Sequence, residues 1–176
     1  MDLRPARHFN HIAFPTADTA ATCRFYTDVL GMKLVGAVRP DLAGTTAEIH
    51  PHIHTFFGTT SGECIAFFEI PGFLPQPNRD GAPVFTRHVA FGVDSEQEML
   101  DWRSHLRRKG VEVSAVIDHD GIWKSIYFPD PNGLLLEITF QTRPLGEADA
   151  ASAERMVAEW NRTQGGWAKS SRGAGA

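Results

Sequence analysis

Ile126-Tyr127-Phe128-Pro129-Asp130-Pro131-Asn132-Gly133, followed at once by Leu134-Leu135-Leu136-Glu137, is the stretch that decides how the chain folds. A β-favouring run reaches Pro129, a Pro-Asp-Pro-Asn-Gly cluster turns the chain, and a second apolar run leads away. That pattern predicts two antiparallel strands around a tight turn. Just upstream stands Ile117-Asp118-His119, so a histidine, a tyrosine and a glutamate fall in one short segment. Imidazole and phenol groups hold or move protons, and a carboxylate set in an apolar strand can hold a metal.

The segment closes a longer unit. Thr86–Val93 predicts a strand, Ser95–Lys109 an amphipathic helix stopped by Gly110, and Val111–Ile117, Trp123–Phe128 and Leu134–Phe140 three further strands. The first half runs in the same order. Phe9–Phe14 is a strand pattern, Thr16 or Asp18 can cap a helix reaching about Leu30 with Gly31 as its stop, and strand patterns follow around Lys33–Val38, Ala47–Phe57 and Glu63–Ile70. A breaker-rich loop, Pro71 to Gly81, separates the two. Strand, helix, three strands, used twice, is an internal duplication. The predicted fold is α+β: paired βαβββ modules, 8–71 and 85–141, form a cupped, mostly antiparallel sheet within one domain over 8–142. Beyond it a helix is expected within 143–164, with Met156, Val157 and Trp160 on or near one face, to pack on the domain or on a second subunit. The Gly/Ser/Ala-rich end, 165–176, reads as a disordered tail.

Bulk properties narrow the function classes. The chain has 176 residues, 42% hydrophobic and 22% charged, which suits an ordinary soluble domain. A formal net charge of -4 points to neither nucleic acid nor an anionic membrane as partner. No apolar run approaches the roughly 20 residues of a membrane span. The N-terminal residues lack the apolar stretch of a secretion signal. Cys23 and Cys64 fall in a helix pattern and a strand pattern, which reads as two reduced thiols in a cytoplasmic protein.

Strand alternation then sorts the candidate ligands. His11 shares a face with Phe9 and Ala13, His88 with Thr86 and Ala90, Glu137 with Leu135 and Thr139, and Glu69 with Ile65 and Phe67. Each half thus opens on a strand bearing a histidine and closes on one bearing a glutamate. A charged glutamate in an apolar strand costs on the order of several kcal/mol unless it is paired or metal-bound. Two imidazoles and one carboxylate with open positions form the facial set of non-haem Fe(II) oxygenases. Adding Glu69 gives a more closed set suited to Ni(II), Zn(II) or Co(II) and to proton transfer. His50, His52 and His54 alternate along the third strand pattern, where a polar strand face competes with a zinc site, and His54 is the member placed to reach a cavity. Phe56, Phe67, Phe73 and Trp123 are candidate pocket walls or core, Lys124 and Arg79 candidate anion contacts, and Ser125 and Asn132 turn-shaping residues.

Arg24-Phe25-Tyr26-Thr27-Asp28-Val29-Leu30-Gly31-Met32 and Phe128-Pro129-Asp130-Pro131-Asn132-Gly133, set in a duplicated unit, resemble the vicinal oxygen chelate superfamily over about residues 8–141. That superfamily includes glyoxalase I, extradiol ring-cleaving dioxygenases, fosfomycin-resistance transferases, epimerases and metal-free antibiotic-binding proteins. The Ile117–Glu137 segment is similar to the extradiol signature, of a one-domain type. The resemblance implies that His11, His88 and Glu137 bind Fe(II), that His119 lines the substrate pocket and that Tyr127 hydrogen-bonds the substrate. The family's catalytic histidine on or just after the fourth strand has no counterpart here; Glu69 stands on that strand instead. The expectation is therefore an Fe(II)-dependent dioxygenase for a catechol or related vicinal diol with O2, with Tyr127, His119 and Glu69 catalytic. The alternatives are a glyoxalase-like isomerase or lyase with Glu69 as fourth ligand and base, using Ni(II), Zn(II), Co(II) or Mn(II), and a metal-free drug-binding protein. A homodimer follows from the resemblance.

Overall fold

Each half opens with a short strand and turns at once into a capped helix. In the computed structural model, which describes residues 6, 8–39, 51–76 and 81–164, the first half comprises β1 (His11–Pro15), α1 (Thr19–Arg24), β2 (Lys33–Val38), β3 (Ile53–Gly58) and β4 (Cys64–Glu69). The second comprises β5 (His88–Val93), α2 (Glu96–Arg108), β6 (Ile117–His119), β7 (Trp123–Pro129) and β8 (Leu135–Gln141), with α3 (Glu147–Gln164) after it. Asp18 caps α1 by accepting from the Ala21 N–H, and Ser95 caps α2 by accepting from the Glu98 N–H. The first helix changes winding after Arg24 and continues as a π-helical stretch, Phe25–Val29. Gly31 ends it at φ +68°, a left-handed conformation that favours glycine.

The duplication is real at the level of topology. One sheet has the order β1-β4-β3-β2 and the other β5-β8-β7-β6. In each, the first strand pairs parallel with the last and the remaining pairs are antiparallel. The two sheets do not fuse into one. β1 and β5 are the outer strands of their own sheets, and no ladder links them.

Two local expectations change. Val111–Ile117 is not a strand throughout; only Ile117–His119 pairs with β7. Upstream, the Ser114 N–H still donates to the Tyr127 carbonyl, but its own carbonyl accepts from Arg103 Nε and its hydroxyl, not its backbone, accepts from the Tyr127 N–H. The third strand begins at Ile53, and the Ala47–His50 part of its predicted span lies outside the described residues, as do Arg79 and the 165–176 tail.

The core lies between the sheets and their helices. Tyr26, Phe57, Ile65 and Phe67 pack on α1's side of the first sheet, and Met99, Leu106, Ile126, Phe128 and Leu136 on α2's side of the second. A buried polar clasp joins the halves. Tyr26 Oη donates to Asp130 Oδ2 (3.2 Å), Thr16 Oγ1 donates to Asn132 Oδ1 (2.7 Å), and Asn132 Nδ2 donates to Thr22 Oγ1 (3.2 Å). Asp130 also accepts from the N–H groups of Asn132 and Leu134 at 2.8 Å each, which holds the turn shut. His105 Nε2 adds a bond to the Val29 carbonyl (2.9 Å).

Burial, and then the Asp130 charge, push the Tyr26 phenol well above its ordinary value. The raised folded value means that the stabilisation is complete below pH 10, the unfolded value, and is lost as pH climbs through the folded one. Tyr26→Phe is expected to cost about 1 kcal/mol at neutral pH. It should also flatten the loss of stability above pH 10 in urea titrations. A variant as alkali-sensitive as the parent would contradict this.

Candidate metal centre

The register of the second sheet assembles four of the expected residues. β5 and β8 run parallel with Ala90 opposite Glu137 and His88 opposite Leu135, so His88 and Glu137 share the face turned away from α2. β7 runs antiparallel with Tyr127 opposite Glu137. His119 ends the short strand β6 beside them. His88 Nε2 lies 2.9 Å from Glu137 Oε2, the His88 and Tyr127 rings meet edge-on at 5.8 Å, and His119 Nε2 hydrogen-bonds Tyr127 Oη at 3.0 Å.

The protonation pattern of the pair is informative. His88 Nδ1 bonds the Phe85 carbonyl at 3.0 Å. A carbonyl only accepts, so Nδ1 carries the proton. Nε2 then meets the carboxylate oxygen either as a second N–H donor or as a lone pair with a cation between the two. Two acceptors 2.9 Å apart repel unless a proton or a cation lies between them. Glu137 is only 6% exposed. A lone carboxylate is unfavourable there. An imidazole and a carboxylate with the histidine tautomer fixed from behind form a donor set suited to a divalent metal such as Fe(II). Burial, and then the Glu137 charge, raise the Tyr127 phenol above its ordinary value, so it stays protonated at neutral pH.

His11 sits elsewhere. It is on the outer strand of the first sheet, on the face turned away from α1, with its ring against Phe56 (5.4 Å) and His54 (6.0 Å). Its Nδ1 bonds Asn10 Oδ1 at 2.8 Å. Among the described residues, no set of three or more His, Cys, Asp or Glu side chains is gathered closely enough to hold an ion. His11 lies on one sheet and the His88–Glu137 pair on the other. A cavity of about 600 Å³ opens between the halves. It is lined by Ile12, Ile65, Val89, Phe91 and Trp102, and it touches His88 but not Glu137, Tyr127 or His119.

Glu69 needs the largest correction. Its matching position to Glu137 does not hold: Glu137 lies opposite Ala90, two residues past His88, whereas the residue opposite Ala13, two past His11, is Ala66. Alternation puts Glu69 with Ile65 and Phe67 on the helix side, where Oε2 accepts from the Thr19 N–H at 2.6 Å. It serves the N-terminus of α1 and does not face His11 or His88.

The other candidates sort by their contacts. His54 stacks on Phe68 at 3.6 Å, and burial lowers its ring below the usual histidine value, with His11 and His52 adding to the effect. Phe67 is core, and Phe73 is half exposed. Lys124 is paired with Glu96 at 2.7 Å rather than free for an anion. Ser125 is buried and donates to Thr139 Oγ1, and Asn132 belongs to the clasp. His50 lies outside the described residues. The residues that orient the histidines, Phe85 through its carbonyl and Asn10 through its side chain, were not singled out from the sequence. Their only signal is position, three and one residues before a strand-opening histidine.

The model of the Glyoxalase/Bleomycin resistance protein/Dioxygenase superfamily matches residues 8–138. The chain belongs to this superfamily. An iron-dependent extradiol dioxygenase of Rhodococcus jostii (strain RHA1) is 28% identical over 155 residues, covering 85% of this chain and 49% of that protein. Biphenyl-2,3-diol 1,2-dioxygenase 3 of Rhodococcus globerulus is 28% identical over 128 residues, covering 73% of this chain and 60% of that one. The chain thus spans about half the length of the curated relatives it matches. A crystal structure of a glyoxylase/bleomycin resistance protein/dioxygenase domain from Frankia sp. EAN1pec superposes with a TM-score of 0.61 at 19% identity, over 77% of this chain and 98% of that one. This vicinal oxygen chelate chain shares that fold, and no described helix is long and apolar enough to cross a membrane.

His88→Ala leaves Glu137 buried without its nearest partner. Because His88 is about a third exposed, the cost expected in the metal-free chain is discounted to about 1–3 kcal/mol by urea denaturation. Adding Glu137→Gln should recover most of it, and an unchanged midpoint in the single variant would contradict the pairing.

Proposed function

We propose that this chain is an Fe(II)-dependent extradiol-type dioxygenase that opens the ring of a catechol or related vicinal diol with O2. We further propose that its metal centre is shared between two copies of the chain. The observation that carries the reading is the contact of the buried Glu137 carboxylate with His88 Nε2, 2.9 Å apart, beside Tyr127 and His119. His88 Nε2 and Glu137 Oε2 would hold the ion from one copy, and His11 Nε2 would complete the facial set from the other. Support for sharing comes from the open edges. β1 and β5 are unpaired on their outer sides, and Phe9, Ile12, Val84 and Phe85 beside them are exposed apolar residues.

Fe(II) bound there would supply Lewis acidity toward a diol hydroxyl and a path for electrons from the diol to O2. The chain's own residues do the rest. Tyr127, held protonated, donates a hydrogen bond to a developing oxyanion. His119 bonds the same phenol and can pass a proton along it. Glu69, on the helix side, is not placed to act as a fourth ligand, which favours the dioxygenase over the isomerase. A histidine–carboxylate pair with its ring held from behind supports the metal-dependent readings over a metal-free binding protein.

Anaerobic reconstitution with Fe(II), followed by a catechol panel under O2, is expected to give a yellow ring-fission product. Oxygen-independent turnover of a hemithioacetal with Ni(II) would favour the isomerase instead. Subunit mixing tests the shared site. His11→Ala and His88→Ala should each be inactive alone, and co-refolding them should restore roughly one quarter of the parental sites, because a mixed dimer holds one intact set. No recovery on mixing, with either variant dimeric, would place all three ligands in one chain.

A further inference from the structure

The histidines of the candidate centre are each fixed from behind, but by different means. His88 Nδ1 is held by a backbone carbonyl, that of Phe85, and His119 Nε2 by the Tyr127 hydroxyl. His11 Nδ1 is held by a side chain, the Asn10 amide oxygen, at 2.8 Å. An amide oxygen only accepts, so this bond puts the proton on Nδ1 and leaves Nε2 as a lone pair. Without it an exposed imidazole is free to rotate and to exchange tautomers. Asn10 is itself anchored: its carbonyl accepts from the Cys64 N–H at 3.0 Å, extending the β1–β4 pairing one residue upstream of β1. The amide side chain therefore leaves a fixed backbone. His11 is further confined by its edge contacts with Phe56 and His54.

We infer that Asn10 is a positioning residue that holds His11 in the Nδ1–H tautomer and leaves its Nε2 bare as a ready ligand for a divalent metal. The metal part of this inference rests on the proposed function; the tautomer part does not. In this arrangement both strand-opening histidines present the same nitrogen, one oriented by backbone and the other by a replaceable side chain. Outer partners of this kind typically contribute 10- to 100-fold to metal affinity.

The test compares Asn10→Ala, which removes the acceptor, with Asn10→Asp, which keeps one. In the full-length metal-free chain, ¹⁵N chemical shifts of the His11 ring report which nitrogen is protonated. The parent and Asn10→Asp should show protonated Nδ1 and bare Nε2, and Asn10→Ala should shift toward the Nε2–H form. Fe(II) binding measured anaerobically should weaken by about 10- to 100-fold in Asn10→Ala and hold in Asn10→Asp, with the thermal midpoint unmoved in both. An Asn10→Ala ring with the parental tautomer overturns the inference. A shifted tautomer with unchanged Fe(II) affinity overturns the ligand role of His11, and with it the shared centre, while leaving the orienting bond in place. Equal loss of affinity in both variants shows that the acceptor is not what matters and overturns the assignment.

Discussion

The buried clasp between the two halves is the constraint on which the rest of the molecule depends. Asp130 and Asn132, in the turn before β8, reach across to Tyr26, Thr16 and Thr22 in the first half. Every partner is a buried or half-buried polar group, so each bond lost would leave an unsatisfied group in the core. Asn132 spends its amide on three acceptors and donors at once, which fixes the halves in one relative position. The clasp ties them by their helix sides. The outer edges of β1 and β5 stay open, and His11 stays apart from His88 and Glu137.

Much of this was legible in the sequence, for a physical reason. The halves obey local rules, so alternation and capping residues locate most strands and the starts of both helices. The segment from His119 to Glu137 could be read as a cluster because its residues are joined by one short strand and one hairpin. Tyr127 and Glu137 fall opposite each other by hairpin register alone. What could not be read were relations between the halves. Glu69 resembles Glu137 in being last on its strand, but parity puts it on the other face, and only the pairing with Ala13 reveals Ala66 as the matching position. The Val111–Ile117 strand failed because side chains of Arg103 and Ser114 captured the backbone groups that a ladder needs. The clasp residues looked like turn-shaping residues, since their partners are about a hundred residues away.

The chemistry follows from where the apolar and polar faces fall. One face of the second sheet is given to the core, and the other carries His88, Glu137 and Tyr127, with His119 bonded to Tyr127. The buried Glu137 carboxylate faces His88 Nε2 at 2.9 Å, and the other nitrogen of that ring is held by the Phe85 carbonyl. Membership of the superfamily agrees with such a pair, and the extradiol relatives set the reaction proposed for it. The unpartnered surface of α3, with Met156, Val157 and Trp160 exposed, adds to the apolar area that a second copy would cover.

Anomalous diffraction at the iron edge from crystals grown anaerobically with Fe(II) addresses the centre most directly. One ion per chain is expected between His88 Nε2 and Glu137 Oε2, with His11 Nε2 of a second copy as the third protein donor. An ion bound elsewhere, or a His88–Glu137 contact bridged by nothing heavier than a proton in the iron-loaded protein, would contradict it.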